Sequence, residues 1–315
     1  MKISGFSFVR NGVKLYYPVK ESIESILPLC DEFVVAVGEG DPDDDTREVI
    51  ESIDSPKVRI IDTVWDNKYM KRGAIHALQT DLAKSHCSGD WLFYLQADEV
   101  VHEDDLPKIE SRCRELLNKE QVEGLLFDYL HFWGDYDHYH LSHGWYPHEI
   151  RIIRNRPDIH SWESAQSFRR YDNYEKPHQT EGTHKLKVAK VNARIFHYGW
   201  VRPPHLMQNK SRAFYTNHWG KEKADSHYDK LPGEFDYGPL NKLGFYKGTH
   251  PAVMKDMISR HDWKHKLQYR GEPDKNRAPH KHEQPRVKFL TWIEQNLNRG
   301  KQIATFHNYE LIKNI

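Results

Sequence analysis

Apolar and polar positions along the first hundred residues alternate between two rhythms. Ile3 to Val9 is a short apolar run ending in the turn signal Arg10-Asn11-Gly12, which reads as a strand. Pro18 then opens a helix whose apolar positions Val19, Ile23, Ile26 and Leu27 recur at helical spacing. Phe33 to Val37 is a second buried strand. It runs into the loop Gly38-Glu-Gly-Asp-Pro-Asp-Asp-Asp45, after which Thr46 starts a helix with Val49, Ile50 and Ile53 on one face. Asp45 and Glu48 have the spacing of a capping box. Val58 to Val64 predicts a third strand, residues 71–87 a helix, and Trp91 to Leu95 a fourth strand. Strand and helix alternate through short links, so this half is expected to be an α/β, doubly wound and mostly parallel sheet.

The fourth strand ends abruptly in Gln96-Ala97-Asp98-Glu99. In an open α/β sheet, ligands bind outside the carboxyl ends of the strands. Carboxylates delivered there are able to hold a hard divalent cation, and such a cation often accompanies a phosphate-bearing substrate. The blander alternative is a solvated turn that caps a helix. No Gly-x-Gly-x-x-Gly and no Gly-x-x-x-x-Gly-Lys-Ser/Thr is present, which argues against a dinucleotide oxidoreductase and a P-loop NTPase.

Further along, residues 102 to about 118 predict a helix with acidic residues in its first turn, and Leu125 to Phe132 a strand. The segment 131–148 carries five histidines and six aromatics. His138, His140 and His143 lack a recognised zinc spacing, so an acceptor-side loop or a surface loop packed by its own rings is expected. Glu149 to Asn155 alternates like a half-buried strand, and Val188 to Phe196 is another, ending in His197-Tyr-Gly-Trp200. Beyond Pro203-Pro204 the chain changes character. Helices are expected over 205–219, 252–259 and 286–298, the last through Val287, Leu290, Ile293 and Leu297, with no clear period over 221–250.

Composition narrows the choices modestly. The 315 residues carry 46 basic and 46 acidic side chains, so nothing suggests broad nucleic-acid affinity. No run of about 18 apolar residues occurs, so no integral membrane segment is expected. The N-terminus enters a strand pattern without a signal-peptide cleavage region. Cys30, Cys87 and Cys113 show no metal-type spacing and suit a reducing cytoplasm.

Phe8-Val-Arg-Asn11, Val37-Gly-Glu-Gly-Asp-Pro-Asp-Asp-Asp-Thr46 and Gln96-Ala-Asp-Glu99, each following a strand in that order, resemble the GT-A fold glycosyltransferases of the family 2 type. The resemblance covers roughly residues 3–200. It implies a GT-A domain over 1–200, with a nucleotide-sugar half (1–100) and an acceptor and metal half (101–200). Residues 201–315 would form a mainly helical extension serving as lid or oligomerisation element. It also implies Asn11, Glu39 and Asp44 near the nucleotide, and Lys71, Arg72, Arg202 and Lys210 as cations approaching the nucleotide or its diphosphate. Asp98 would bind Mn²⁺ or Mg²⁺, with His197 as a further ligand. Gln96 stands where the family motif has its first Asp, and brings no charge. Glu163 matches the acidic position that acts as base on the acceptor; a salt bridge to Arg151 or Arg154 is its structural alternative.

The reading that results is an inverting, metal-dependent transfer of a sugar from a nucleoside diphosphate donor to a hydroxyl of a carbohydrate or glycolipid acceptor. The expected location is the cytoplasm or the inner face of a membrane, and homo-oligomerisation stays open. Two rivals remain: a non-catalytic nucleotide- or glycan-binding protein, which Gln96 favours, and a sugar-phosphate nucleotidyltransferase, for which Arg10-Asn11-Gly12 is too slight a loop.

Overall fold

A computed structural model describes residues 1–313 and 315. Strands β1 (Ile3–Val9), β2 (Glu32–Gly38), β3 (Val58–Thr63) and β4 (Trp91–Tyr94) form a parallel sheet in the order β3-β2-β1-β4. Between them lie α1 (Val19–Ile26), α2 (Thr46–Glu51) and α3 (Ala74–Ser85). Successive side chains of each strand point to opposite faces. Accordingly Ile3, Phe33, Val35, Trp91 and Phe93 enter one core, and Phe6, Val34, Ala36, Leu92 and Tyr94 enter the other. Cores on both faces explain why these strands read as continuous apolar runs.

Two local expectations in this half need correction. Helix α3 begins at Ala74 and not at 71, because Arg72 (φ 58°) and Gly73 (φ 73°) are both left-handed and end a short 3₁₀ turn. The Asp45–Glu48 capping box is absent, since the Asp45 side chain makes no cap hydrogen bond. Asp44 takes over: its carboxylate accepts from the Thr46 N–H at 3.3 Å and from the Lys14 N–H at 3.0 Å.

The chain then adds β5 (Glu99–Val101), α4 (Leu106–Leu116), β6 (Gly124–Trp133), β7 (His138–Tyr139), β8 (His148–Arg154), β9 (Ile159–Trp162), β10 (Ser167–Tyr171) and β11 (Thr183–Trp200). Strand β8 runs antiparallel between β4 and β6, and β6 is parallel to β11. Parallel pairing is concentrated in the first four strands and along β11, and the β9–β10 hairpin closes the far edge.

Helices α5 (Pro204–Trp219), α6 (Lys221–Tyr228), α7 (Lys255–Ser259) and α8 (Pro285–Leu297) follow, with the short strands β12 (Gly244–Phe245) and β13 (Tyr309–Leu311). Helix α6 falls where no period was visible. A third core joins this region to the end of the sheet through Phe132, Trp133, Tyr136, Phe196, Tyr198, Tyr237 and Trp263. The ring-rich segment 131–148 therefore contributes interior as well as surface: His131, Trp133, Tyr136 and His140 are buried. Its histidines do not converge. His138 bonds Asp135, His143 bonds Glu294 at 2.7 Å, and His140 stacks on Trp145.

Helix α8 keeps most of its expected inner face, since Val287 is buried and Leu290 and Ile293 are half-buried, but it departs from it at its end. Val287 and Glu294 are buried, whereas Leu297 is 69% exposed. The reason is polar: Glu294 accepts from His143 and from the Ile303 N–H at 2.8 Å, which fixes the rotation of the helix.

Candidate active site

A cavity of about 600 Å³ opens at the carboxyl ends of β1 and β4. Phe8 to Asn11 and Gln96 to Asp98 form its floor. His197 and Trp200 come from the end of β11, Trp65 from the loop after β3, and His76 from α3. Helix α5 closes one side with Met207, Lys210 and Phe214.

The turn that presents Asp98 is held by a buried ion pair. Glu99, fully buried, accepts from Arg151 Nε and Nη2, both at 2.7 Å, from the Tyr129 hydroxyl at 2.8 Å, and from the Gln96 N–H at 3.1 Å. Glu99 is thus committed to the scaffold, leaving Asp98 alone to face the cavity. The bidentate pairing fixes the turn's orientation as well as neutralising the charge. Gln96 is committed in part, since its Nε2 donates to Ala165 O at 2.9 Å and ties the β9–β10 hairpin tip to the same turn.

Asp98 and His197, a hundred residues apart, meet here. The Tyr198 N–H donates to Asp98 O at 2.8 Å, and His197 Nε2 lies 3.6 Å from Asp98 Oδ2. That separation is too long for a hydrogen bond. Gly199 explains the space: a Cβ at this position would lie 2.5 Å from Asp98 Oδ2 and 2.5 Å from His197 Nε2. The β6–β11 register shifts between His197 and Trp200, so the strand breaks its pairing where this gap forms.

Hydrogen bonding also fixes which nitrogen of His197 faces Asp98. His131 Nε2 lies 2.8 Å from the Tyr146 carbonyl, which only accepts, so this nitrogen carries the proton. Burial, with His197 adding to it, drives the His131 pKa well below the usual imidazole value and keeps the ring neutral. Its Nδ1 is therefore an acceptor, and His197 Nδ1, 2.9 Å away, donates to it. His197 therefore turns Nε2 towards Asp98. A ligating imidazole whose other nitrogen donates to a fixed partner is the arrangement metal sites use.

Positive charge surrounds the carboxylate. Lys210 Nζ lies 3.5 Å from Asp98 Oδ2 and donates to Gly199 O. Burial, reinforced by Arg202, pushes the Lys210 pKa down to about 7. Burial alone would raise the Asp98 pKa, but His197, Lys210 and Arg202 outweigh it and hold Asp98 well below the ordinary carboxylate range. Arg202 is fully buried, donates to Leu15 O and Gly199 O, and lies over the Tyr17 ring. It acts from behind the wall.

The other residues singled out from sequence fall in different places. Asn11 lines the cavity, and its Oδ1 accepts from the Asp41 N–H at 2.7 Å. Glu39 is exposed beside the acidic loop and is not part of the cavity wall. Asp44 is also off the wall, its carboxylate bonded to backbone. Lys71 is exposed. Arg72 Nη2 lies 3.2 Å from Glu163 Oε2, and His178 Nδ1 lies 2.6 Å from the same oxygen. Glu163 thus pairs with neither Arg151 nor Arg154: Arg151 serves Glu99, and Arg154 binds carbonyls at the end of α4. Glu163 (φ 56°) and Ala165 (φ 61°) are both left-handed, and this strained tip carries Ser164 into the cavity.

Sequence reasoning missed an aromatic corner of the cavity. Phe8 stacks on His76 with centroids 5.6 Å apart, Trp65 lies 5.5 Å from His76, and Arg10 sits over Trp65. Trp65 Nε1 and Arg10 Nε are buried without a hydrogen-bond partner. The available signal was positional, since Trp65 follows the third parallel strand as Asn11 follows the first.

No known protein-family model matches the sequence, and no curated protein matches it. Among solved structures, the chain is similar to glucosyl-3-phosphoglycerate synthase from Mycobacterium tuberculosis in complex with Mn²⁺, uridine diphosphate and glucosyl-3-phosphoglycerate. That likeness has 20% identity over 42% of this chain and 45% of the other, with a TM-score of 0.28. The match therefore spans less than half the length of the synthase. S. aureus TarS 1–349 in complex with UDP is similar at 14% identity over 71% of this chain and 69% of the other, with a TM-score of 0.37. At these scores the function has to be argued from the chain's own site.

Proposed function

We propose that this chain is a GT-A type glycosyltransferase that moves a sugar from a nucleoside diphosphate donor to a hydroxyl acceptor, with a divalent cation held between Asp98 and His197. One observation carries the proposal: the gap that Gly199 leaves between the Asp98 carboxylate and the Nε2 of His197, on the floor of the cavity. Two ligands about 2.1 Å from one ion stand roughly 3.0–3.5 Å apart, close to the separation found. With Gln96 and Glu99 committed elsewhere, the chain supplies one carboxylate and one imidazole. Mg²⁺-like sites commonly complete such a set with substrate phosphates and water. The cation would stabilise the negative charge of the departing diphosphate.

The chain's own residues do the rest. Lys210 adds positive charge to the same end of the cavity, and a buried ammonium acts strongly on developing anions. The corner formed by Phe8, Arg10, Trp65 and His76 suits the flat face of a base. Asp44 keeps the outer acidic loop in order through its bonds to the Lys14 and Thr46 N–H groups. The base for the acceptor hydroxyl comes from the strained tip between β9 and β10. Asp98 is committed to the cation, and Glu163 beside Ser164 would act once Arg72 or His178 gives way. Direct displacement with inversion is the simplest course, because one base at the rim is all that it needs.

Lys210 favours a second reading, in which its ammonium takes the cation's place and transfer needs no metal. A single experiment separates the two. UDP, GDP and dTDP affinities are measured by calorimetry with Mn²⁺ and with EDTA, and nucleoside diphosphate release is followed from a panel of sugar nucleotides. Metal-dependent binding and turnover, both lost in Asp98→Ala, support the first reading. Equal affinity with EDTA, lost in Lys210→Met, supports the second. Tight donor binding with no turnover on any acceptor leaves a binding protein, and pyrophosphate release from a nucleoside triphosphate and a sugar phosphate leaves a nucleotidyltransferase. Glu163→Gln should keep donor affinity within about twofold and lower kcat by ~10²–10⁴.

A further inference from the structure

Helix α8 turns its one acid inward and both of its aromatic side chains outward. Its inner side holds Val287, the fully buried Glu294, the half-buried Leu290 and Ile293, and Thr291, whose hydroxyl accepts from the His143 N–H at 2.9 Å. Its outer face carries Phe289, 63% exposed, and Trp292, 55% exposed, one turn apart, with Leu297, 69% exposed, at its end. The anchoring is polar and firm. Glu294 bonds His143 and Ile303, Gln302 Nε2 donates to Trp145 O at 2.6 Å, and Gln295 Nε2 donates to Leu141 O at 3.2 Å. A helix in a water-soluble surface normally turns its apolar stripe to the core. Here the polar ties hold both rings in solvent, at the cost of leaving Glu294 Oε2 without a hydrogen-bond partner.

The charges around this face have one sign. Arg286, Lys288, Arg299 and Lys301 are exposed, and Glu294, the only acid from residue 284 to 306, is buried. Outward Phe and Trp flanked by Lys and Arg are the composition of a helix lying in the plane of a lipid surface. Aromatic rings settle at headgroup depth, while the cations meet anionic headgroups.

We infer that α8 and the turn after it dock the protein on an anionic lipid surface, with Phe289, Trp292 and Leu297 inserted and Arg286, Lys288, Arg299 and Lys301 on the headgroups. This does not depend on the transferase proposal, since none of these residues lines the cavity.

Sedimentation of the full chain with vesicles of phosphatidylcholine, and of phosphatidylcholine mixed with phosphatidylglycerol, tests the inference. Partitioning should be on the order of tenfold or more stronger on the anionic vesicles at low salt, and should weaken as salt is raised. The double variant Phe289→Ser/Trp292→Ser should lose that binding, as should Lys288→Glu/Arg299→Glu. All four side chains are exposed, so unchanged circular dichroism and unchanged nucleotide affinity should accompany the loss. Absence of binding to either vesicle, or equal binding to both, overturns the inference. A dimer in light scattering that the Phe289→Ser/Trp292→Ser variant dissolves, without vesicle binding, assigns the face to a second copy of the chain and overturns it as well.

Discussion

Replacing Gly199 by alanine adds one methyl group at the point where Asp98 and His197 face each other. The new Cβ would lie 2.5 Å from both Asp98 Oδ2 and His197 Nε2. Ordinary contact distances begin near ~3.4 Å, so each ligand atom has to retreat by roughly 0.9 Å, or the strand has to shift. Metal sites tolerate errors of about ±0.2 Å in ligand distance, far less than this displacement. Gly199 has no left-handed φ, so alanine strains no backbone there and the effect stays in the gap. The expected result is a loss of about 10–100-fold in the metal-dependent part of nucleotide affinity. Overpacking should lower stability by about 1–3 kcal/mol. Calorimetric titration of UDP with Mn²⁺ and with EDTA reads the first quantity, and urea unfolding the second. Gly233→Ala, where nothing lies within 4 Å of the added Cβ, is the control and should change neither. Undiminished metal-dependent binding in a folded Gly199→Ala protein would refute the placement of the cation.

Three further outcomes follow from the scaffold. Arg151→Leu strands the buried Glu99 carboxylate and should destabilise the protein by about 3–5 kcal/mol, read from the urea midpoint; an effect below 1 kcal/mol (roughly the value of an exposed pair) would show that Glu99 is not desolvated. His76, whose pKa burial pushes down to about 4 with His218 adding to it, makes stability depend on pH. Below about pH 6.5 the unfolded chain binds a proton that the folded chain refuses, so stability should fall between about pH 6.5 and 4 by at most ~3 kcal/mol. His76→Phe keeps the ring against Phe8 and should flatten that slope; an identical slope in urea unfolding at pH 7 and 5 removes His76 as its source. Arg154→Lys should lower the melting temperature, because Arg154 donates to four carbonyls near the end of α4 and lies over Trp91, a fork that one ammonium does not reproduce.

The first half of the fold was legible because each of its elements is locally encoded. The run Ile3–Val9 has the same bounds in the sequence reading and in the structure, since apolar residues between turn signals leave little choice. Asp98 and His197 were legible as strand ends, and the sheet brings them together. Asp44 shows the limit: its loop looks like a ligand loop, but its carboxylate bonds the Lys14 and Thr46 backbone. Trp65 and His76 belong to a loop and a helix whose meeting depends on the whole sheet, so no local pattern announced them. Helix α8 was legible through Val287, Leu290 and Ile293, but its periodicity also places the exposed Leu297 with them. The buried Glu294 carboxylate bonds His143, a residue 151 positions away, and no local pattern announces that tie.

Strand β8 has a bearing on how such a chain could be rebuilt. Because it returns to lie between β4 and β6, the strand carrying Asp98 borrows its second neighbour from a segment some sixty residues downstream. A chimera spliced directly after residue 100 would leave β4 with one naked edge and deprive Glu99 of Arg151. Recombination should therefore preserve the block from β1 through β8, with the natural seam after Arg154.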